Sequence, residues 1–260
     1  MFLAIDIGNT TICMGVYEGN SSKFVSRIAT NKSKEPVEYI IVFKQIFEMN
    51  GITPKDISGS AISSVVPEVT KSIINAVSYL VGCTPMVLGP GVKTGMKIMI
   101  DNPAQLGADL LAGCVGAAAI YPLPCIVIDM GTATKISMID KDGNFRGCAI
   151  APGVKISLNA LSERTSQLPN ISLNSPDHAI GTNTLDSMQS GTVYGFASMV
   201  DGLCDKFEAE LNQGKASLVA TGGLAQALVK SCSKDIVFNG ELVLFGLKVL
   251  YEKNFGKLPN

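Results

Sequence analysis

The sequence predicts an α/β protein built from two related lobes. Three observations predict it. Short β-rich apolar runs alternate with amphipathic helix patterns, the segment that opens the chain returns in its second half, and 47% of the 260 residues are apolar against 17% charged, enough to bury two cores.

The elements follow in order. Phe2–Ile5, Thr10–Tyr17 and Phe24–Ala29, with a turn at Glu18, Gly19 and Asn20, read as an antiparallel meander. Pro36 opens a helix carrying Val37, Ile40, Ile41, Ile46 and Phe47 that closes at Gly51. Ile57–Val66 reads as a buried strand and Pro67–Val81 as a helix ended by Gly82. Asn102 and Pro103 carry N-cap and first-turn signals, which places Asp109 inside the helix that follows. The apolar tract Leu110–Tyr121, closed by Pro122 and Pro124, is too short to span a bilayer and reads as a buried helix.

The opening then recurs. Ile126–Thr134 restates Leu3–Thr11 at a constant offset that carries Asp6 onto Asp129, Gly8 onto Gly131 and Thr11 onto Thr134. Both copies run on to a Gly-Asn turn, at Gly19-Asn20 and Gly143-Asn144. One duplication explains the length and predicts lobes at 1–118 and 119–260, with the boundary near 115–124. The second half continues with a strand at Phe145–Ala151, a helix after Gly153, a polar loop from Leu168 to Asn183 and a long helix from Thr184. A strand at Ala216–Ala220 then leads through Thr221, Gly222 and Gly223 to helices from Leu224 and Glu241.

Composition excludes several classes. The 21 basic and 22 acidic residues give a net charge of −1, and no basic block is present to neutralise a phosphate backbone or an anionic bilayer, so neither nucleic acid nor membrane is an expected partner. The 7 cysteines are scattered without a Cys-x-x-Cys pair and the chain has 1 histidine, which argues against a zinc site and for reduced thiols in the cytoplasm. The start, MFLAIDIGNT, carries no basic leader or small-residue cleavage pattern, so no targeting peptide is expected.

Chemistry concentrates at a few positions. An apolar strand ending in Asp, then Gly, then a hydroxyl residue suits phosphate and metal. Glycine lets backbone N–H groups approach phosphate oxygens, and the aspartate offers a hard oxygen to a cation. The first copy supplies Asp6, Gly8, Asn9, Thr10 and Thr11, and the second Asp129, Gly131 and Thr132. Asp109 and Asp129 are the only charged residues between Asp101 and Lys135. A carboxylate among Leu106, Ala108, Leu110 and Leu111 is costly unless paired or facing a polar cleft, which makes Asp109 a general-base candidate. Gly222 and Gly223 read as a glycine-rich helix start suited to a nucleotide.

DIGNT at 6–10, GAD at 107–109, DMGTAT at 129–134, Pro152-Gly153, NT followed by MQSG within 183–191, and TGG at 221–223 resemble type III pantothenate kinases in order and spacing over nearly the whole chain. The resemblance implies two ribonuclease-H-like lobes of the acetate kinase, sugar kinase, Hsp70 and actin superfold, with ATP between them, in a homodimer. It implies that Asp6–Cys13 line the ATP phosphates, with Asp6 orienting magnesium, that Thr132 touches ATP, and that Asp129 holds a monovalent cation, potassium or ammonium. It further implies Asp109 as proton acceptor, Gly107, Ala108, Asp109 and Leu110 as the pantothenate segment, and Thr184 as a substrate contact reaching across the dimer interface. The implied reaction is ATP-dependent phosphorylation of the primary hydroxyl of pantothenate, the first step towards coenzyme A. The chain departs from the family pattern at Leu110, where an arginine is usual, at Ile100, where a tyrosine is usual, at Cys148, the second of two paired glycines, and at Lys135, a threonine slot. The alternative reading is a divergent relative that keeps fold and dimer but lacks the activity or acts on another substrate. Lys135 supplies a positive charge near the second motif, and strand alternation leaves the face it occupies open.

Overall fold

The computed structural model describes residues 1–164, 169, 171–173 and 175–257. In chain order the elements are β1 (Phe2–Ile7), β2 (Thr11–Glu18), β3 (Ser21–Ala29), α1 (Pro36–Met49), β4 (Gly59–Ser64), α2 (Pro67–Val81), β5 (Met86–Val87), α3 (Ala108–Ile120), β6 (Cys125–Met130), β7 (Ala133–Ile139), β8 (Phe145–Pro152), α4 (Val154–Arg164), α5 (Thr184–Leu211), β9 (Ser217–Thr221), α6 (Ala225–Leu228), β10 (Val237–Phe238) and α7 (Leu242–Phe255). They form two compact units, one of residues 1–96, 102–119 and 241–260 and the other of 97–101 and 120–240.

The first unit is a mixed sheet of order β3-β2-β1-β4-β5. β1 runs antiparallel to β2 and parallel to β4. As the central strand it is apolar almost throughout, and Phe2, Leu3, Ala4, Ile5 and Ile7 are fully buried. Leu3, Ile5 and Ile7, with Ile12, Met14 and Val16 of β2, pack against Tyr39, Phe43 and Phe47 of α1 and Val69, Ile73 and Val77 of α2. Each such side chain contributes about 1.5–3 kcal/mol of burial. Proline at the first position starts α1 and α2, and α1 carries a capping box between Glu35 and Glu38. Gly82, at φ 80°, ends α2 in the left-handed conformation that glycine adopts without a Cβ penalty.

α7 packs on β1 and β4. The Phe2 and Tyr251 rings lie 5.1 Å apart, and a Cβ on Gly59 would come within 2.6 Å of the Tyr251 ring. The compact units therefore do not follow a single cut after residue 118. The last helix, expected in the second lobe, covers the first sheet, because an apolar strand face of Phe2, Ala4 and Gly59 needs a partner that the first 118 residues do not supply.

The second sheet has the order β10-β9-β6-β7-β8, which repeats the first strand for strand: a three-stranded meander whose first strand pairs in parallel with a later one. Ile126, Ile128 and Met130 of β6 and Ile136 and Met138 of β7 pack against Val193, Val200 and Cys204 of α5 and Ala225 and Leu228 of α6. α5 starts at Asn183, whose side-chain oxygen accepts from the Asp186 N–H at 2.9 Å, and ends at Asn212 in the left-handed region, φ 51°. Of the polar loop expected over Leu168–Asn183, residues 168, 170 and 174 lie outside the described residues.

The helix expected from Asn102 starts later. Asn102 caps a single 3-10 turn over Pro103–Gln105, accepting from the Ala104 N–H at 3.2 Å, and Leu106 is then extended at ψ 122°. The continuous helix begins at Ala108, which puts Asp109 in its first turn rather than inside it. From Leu110 to Ala117 that helix is buried on every side, as the apolar tract requires.

Candidate functional site

In the first unit, Asp6 is the last residue but one of β1 and the half-buried one in an otherwise buried strand. The parallel pairing sets Ser63 of β4 opposite it, and the Ser63 hydroxyl donates to Asp6 Oδ1. On the other side the antiparallel register puts Cys13 opposite Asp6 and Arg27 of β3 opposite Cys13. Burial pushes the Cys13 thiol up, an effect that its hydrogen bond to Arg27 and the guanidinium charge oppose. Ser63, Asp6, Cys13 and Arg27 therefore form one polar row across four strands. Sequence reasoning missed Ser63 and Arg27, whose only signal is the strand register.

The turn after β1 is tight. The Gly8 N–H donates to the Thr11 carbonyl at 3.0 Å, the Thr30 hydroxyl donates to the Gly8 carbonyl at 2.6 Å, and the Thr30 N–H donates to the Thr10 carbonyl at 3.0 Å. A Cβ on Gly8 would sit 3.1 Å from the Thr11 carbonyl oxygen. Asn9, Thr10 and Thr11 are exposed at the tip of the turn.

Gly107 and Ala108 lead into α3 half-buried, and Leu110 is buried. Asp109 is half-buried in the first turn, its Oδ1 accepting from the Leu110 N–H at 2.8 Å. A Cβ on Gly107 would come within 2.8 Å of that same oxygen, so glycine keeps one side of the carboxylate clear.

In the second unit, Asp129 occupies the place in β6 that Asp6 has in β1. Its neighbours differ. In the first hairpin Ile7 pairs with Ile12, whereas Met130 pairs with Thr134, so the second turn is one residue shorter. That shift sets Lys135 opposite Asp129. The Lys135 Nζ lies 2.8 Å from Asp129 Oδ2, with side-chain exposures of 16% and 23%. The question left open by strand alternation is settled by register: Lys135 shares the face of Asp129.

Glycines crowd this carboxylate. Gly222, at φ 98°, has no room for a Cβ, which would lie 2.6 Å from the Met130 carbonyl and 2.8 Å from Asp129 Oδ1. Gly131 donates its N–H to the Ala133 carbonyl at 3.1 Å, and Gly153 donates to the carbonyl of exposed Thr132 at 3.1 Å. A Cβ on Gly153 would stand 2.2 Å from that oxygen. Gly223 is exposed. The helix after Gly222 and Gly223 is four residues long, so it presents little dipole, and what these glycines supply is close backbone approach. Ile100 is half-buried in the short 97–101 segment, which is tied to β8 by the Met99 N–H donating to Phe145 at 2.8 Å.

Thr184, at the start of α5, lines a cavity of about 740 Å³ with Leu158 and Leu161 of α4 and Ser187, Met188 and Phe196 of α5. Among the described residues no three His, Cys, Asp or Glu side chains cluster as a metal site. Magnesium needs no such cluster, since it is held by one or two carboxylates plus phosphate oxygens and water, and the half-buried carboxylate of Asp6 suits that role by its hard oxygens. Asp129 does not fit a resident monovalent cation, because a lysine ammonium already lies against it.

A family model for type III pantothenate kinase matches residues 2–206. A type III pantothenate kinase of Halalkalibacterium halodurans is 40% identical over 98% of this chain and 100% of its own length, and one of Moorella thermoacetica is 40% identical with the same coverage. Among solved structures, a Campylobacter jejuni protein described as a Baf family transcriptional activator aligns over 97% of this chain and 98% of its own at TM-score 0.60 and 19% identity. A Sinorhizobium meliloti protein described as a 2-dehydro-3-deoxygalactonokinase aligns over 100% and 99% at TM-score 0.58 and 12% identity. At these identities the structural likeness shows a shared fold and nothing of the activity.

Proposed function

The chain belongs to the type III pantothenate kinase family and is an ATP-dependent kinase of pantothenate in coenzyme A biosynthesis, and we propose that it uses Asp109 to accept the proton of the primary hydroxyl. The observation that carries this reading is the aspartate in the first turn of α3, whose Oδ1 accepts from the Leu110 N–H and lies where a Cβ on Gly107 would collide.

Phosphoryl transfer asks for positioning and charge neutralisation more than covalent chemistry. Asp109 removes the hydroxyl proton as the hydroxyl oxygen bonds to the γ-phosphorus and the bond from that phosphorus to the β,γ-bridging oxygen breaks, releasing ADP. Asp6, whose Oδ1 accepts from the Ser63 hydroxyl, would hold magnesium directly or through a water. When bound, magnesium neutralises charge on the β- and γ-phosphates. In the first unit the Gly8–Thr11 turn, with Cys13 behind it, offers phosphate oxygens its backbone; in the second, Gly131, Thr132, Gly222 and Gly223 allow a nucleotide the close approach that a Cβ at Gly222 would deny. In the first unit Gly107, Ala108 and Leu110 would contact pantothenate; of the second unit, Ile100 is a substrate contact by family likeness, and Thr184 would serve the partner subunit of a homodimer. We place the protein in the cytoplasm. Among the described residues no helix is long and apolar enough to cross a membrane.

The test is ADP release by the purified protein with ATP and magnesium, with and without pantothenate. Turnover that requires pantothenate supports the reading. Absence of turnover with pantothenate in every salt tried overturns it, and sedimentation velocity showing only monomer overturns the dimer.

A further inference from the structure

We propose that the Lys135 ammonium takes the place of the monovalent cation at Asp129, so that the activity of this chain does not depend on potassium or ammonium. The inference rests on the kinase reading above and concerns the second lobe alone.

Three observations carry it. The Lys135 Nζ stands 2.8 Å from Asp129 Oδ2 in a pair whose side chains are only 16% and 23% exposed, so solvent screens it weakly. The other carboxylate oxygen is hemmed by glycine backbone, with virtual Cβ atoms at 2.8 Å for Gly222 and 3.5 Å for Gly131. The antiparallel register pairs the two residues directly, so the shortened turn sets the lysine side chain within reach of the carboxylate.

A lysine head group is an alkylammonium, a compact point charge with the same sign and magnitude as potassium or ammonium. Tethered on the neighbouring strand, it stands against the carboxylate whatever the salt concentration, because its binding is intramolecular. A second monovalent cation on the same carboxylate would face the repulsion of a like charge at contact distance. The charge that a dissolved ion would bring is therefore built into the chain.

The experiment measures turnover of the wild type and of Lys135→Thr in potassium, ammonium and choline chlorides at constant ionic strength. The wild type is expected to vary by no more than about twofold among the salts. Lys135→Thr is expected to lose roughly tenfold or more in choline and to recover in potassium or ammonium. Thermal unfolding supplies a readout that needs no turnover: the wild-type Tm stays flat as potassium replaces choline, and that of Lys135→Thr rises. A wild type that loses roughly tenfold in choline, or whose Tm climbs with potassium, overturns the proposal, as does a Lys135→Thr variant equally active in choline and potassium. Absence of pantothenate turnover in all three salts would count against the kinase reading instead, and the unfolding curves would still decide the role of the lysine.

Discussion

Gly246 of α7 and Ala112 of α3 meet backbone to backbone. A Cβ on Gly246 would lie 1.8 Å from the Ala112 carbonyl oxygen, and one on the facing Gly116 would lie 2.4 Å from the Leu242 carbonyl oxygen. This crossing docks the helix that bears Asp109 onto the helix that covers the first sheet.

Gly246→Ala is therefore expected to destabilise despite the better helix propensity of alanine. Forcing the helices apart costs about 1–3 kcal/mol, which lowers Tm by several degrees in a protein of this size. Thermal unfolding checks it, and an unchanged or raised Tm would show that the helices do not pack this closely.

Asp109→Asn keeps the size of the side chain and an oxygen able to accept from the Leu110 N–H, but removes the base. Turnover is expected to fall by about 10²–10⁴, with ATP affinity nearly unchanged. Steady-state kinetics and nucleotide titration separate the two effects, and retained activity would assign the proton to another group.

Asp140 makes stability depend on acid. It is 1% exposed. Burial alone would raise its pKa, but the Asn144 backbone N–H and side chain, the Asp142 N–H and the Arg146 guanidinium outweigh it and hold the carboxyl below the usual aspartate range. A folded pKa below the unfolded one adds stability that is complete above the unfolded value, about 3.9, and is lost as pH falls through the folded value. Asp140→Ala is expected to cost about 1–3 kcal/mol at neutral pH. In denaturant titrations the gap from wild type should narrow only below that range, and a gap that widened there would refute the assignment.

Thr134 carries a hydroxyl into the second core. It is 1% exposed, and no hydrogen-bond partner for Oγ1 is found among the described residues. Thr134→Val, which keeps the shape and removes the stranded polar atom, is expected to stabilise by about 1 kcal/mol, read as a higher midpoint in urea.

The sequence by itself determined the duplicated α/β architecture, most of the helices and strands, and both glycine hairpins, because hydrophobic period and turn chemistry are local properties written residue by residue. The six motifs from DIGNT to TGG also made the family legible. Tertiary structure alone decided what stands beside each aspartate. Ser63 reaches Asp6 through a parallel pairing between strands separated in the chain by two further strands and a helix, and Lys135 faces Asp129 because one hairpin turn is a residue shorter than its counterpart. The start of α3 at Ala108 and the return of α7 to the first lobe were likewise beyond local pattern. Register and docking are chosen by which apolar faces must be covered, a competition among distant segments that no window of sequence contains.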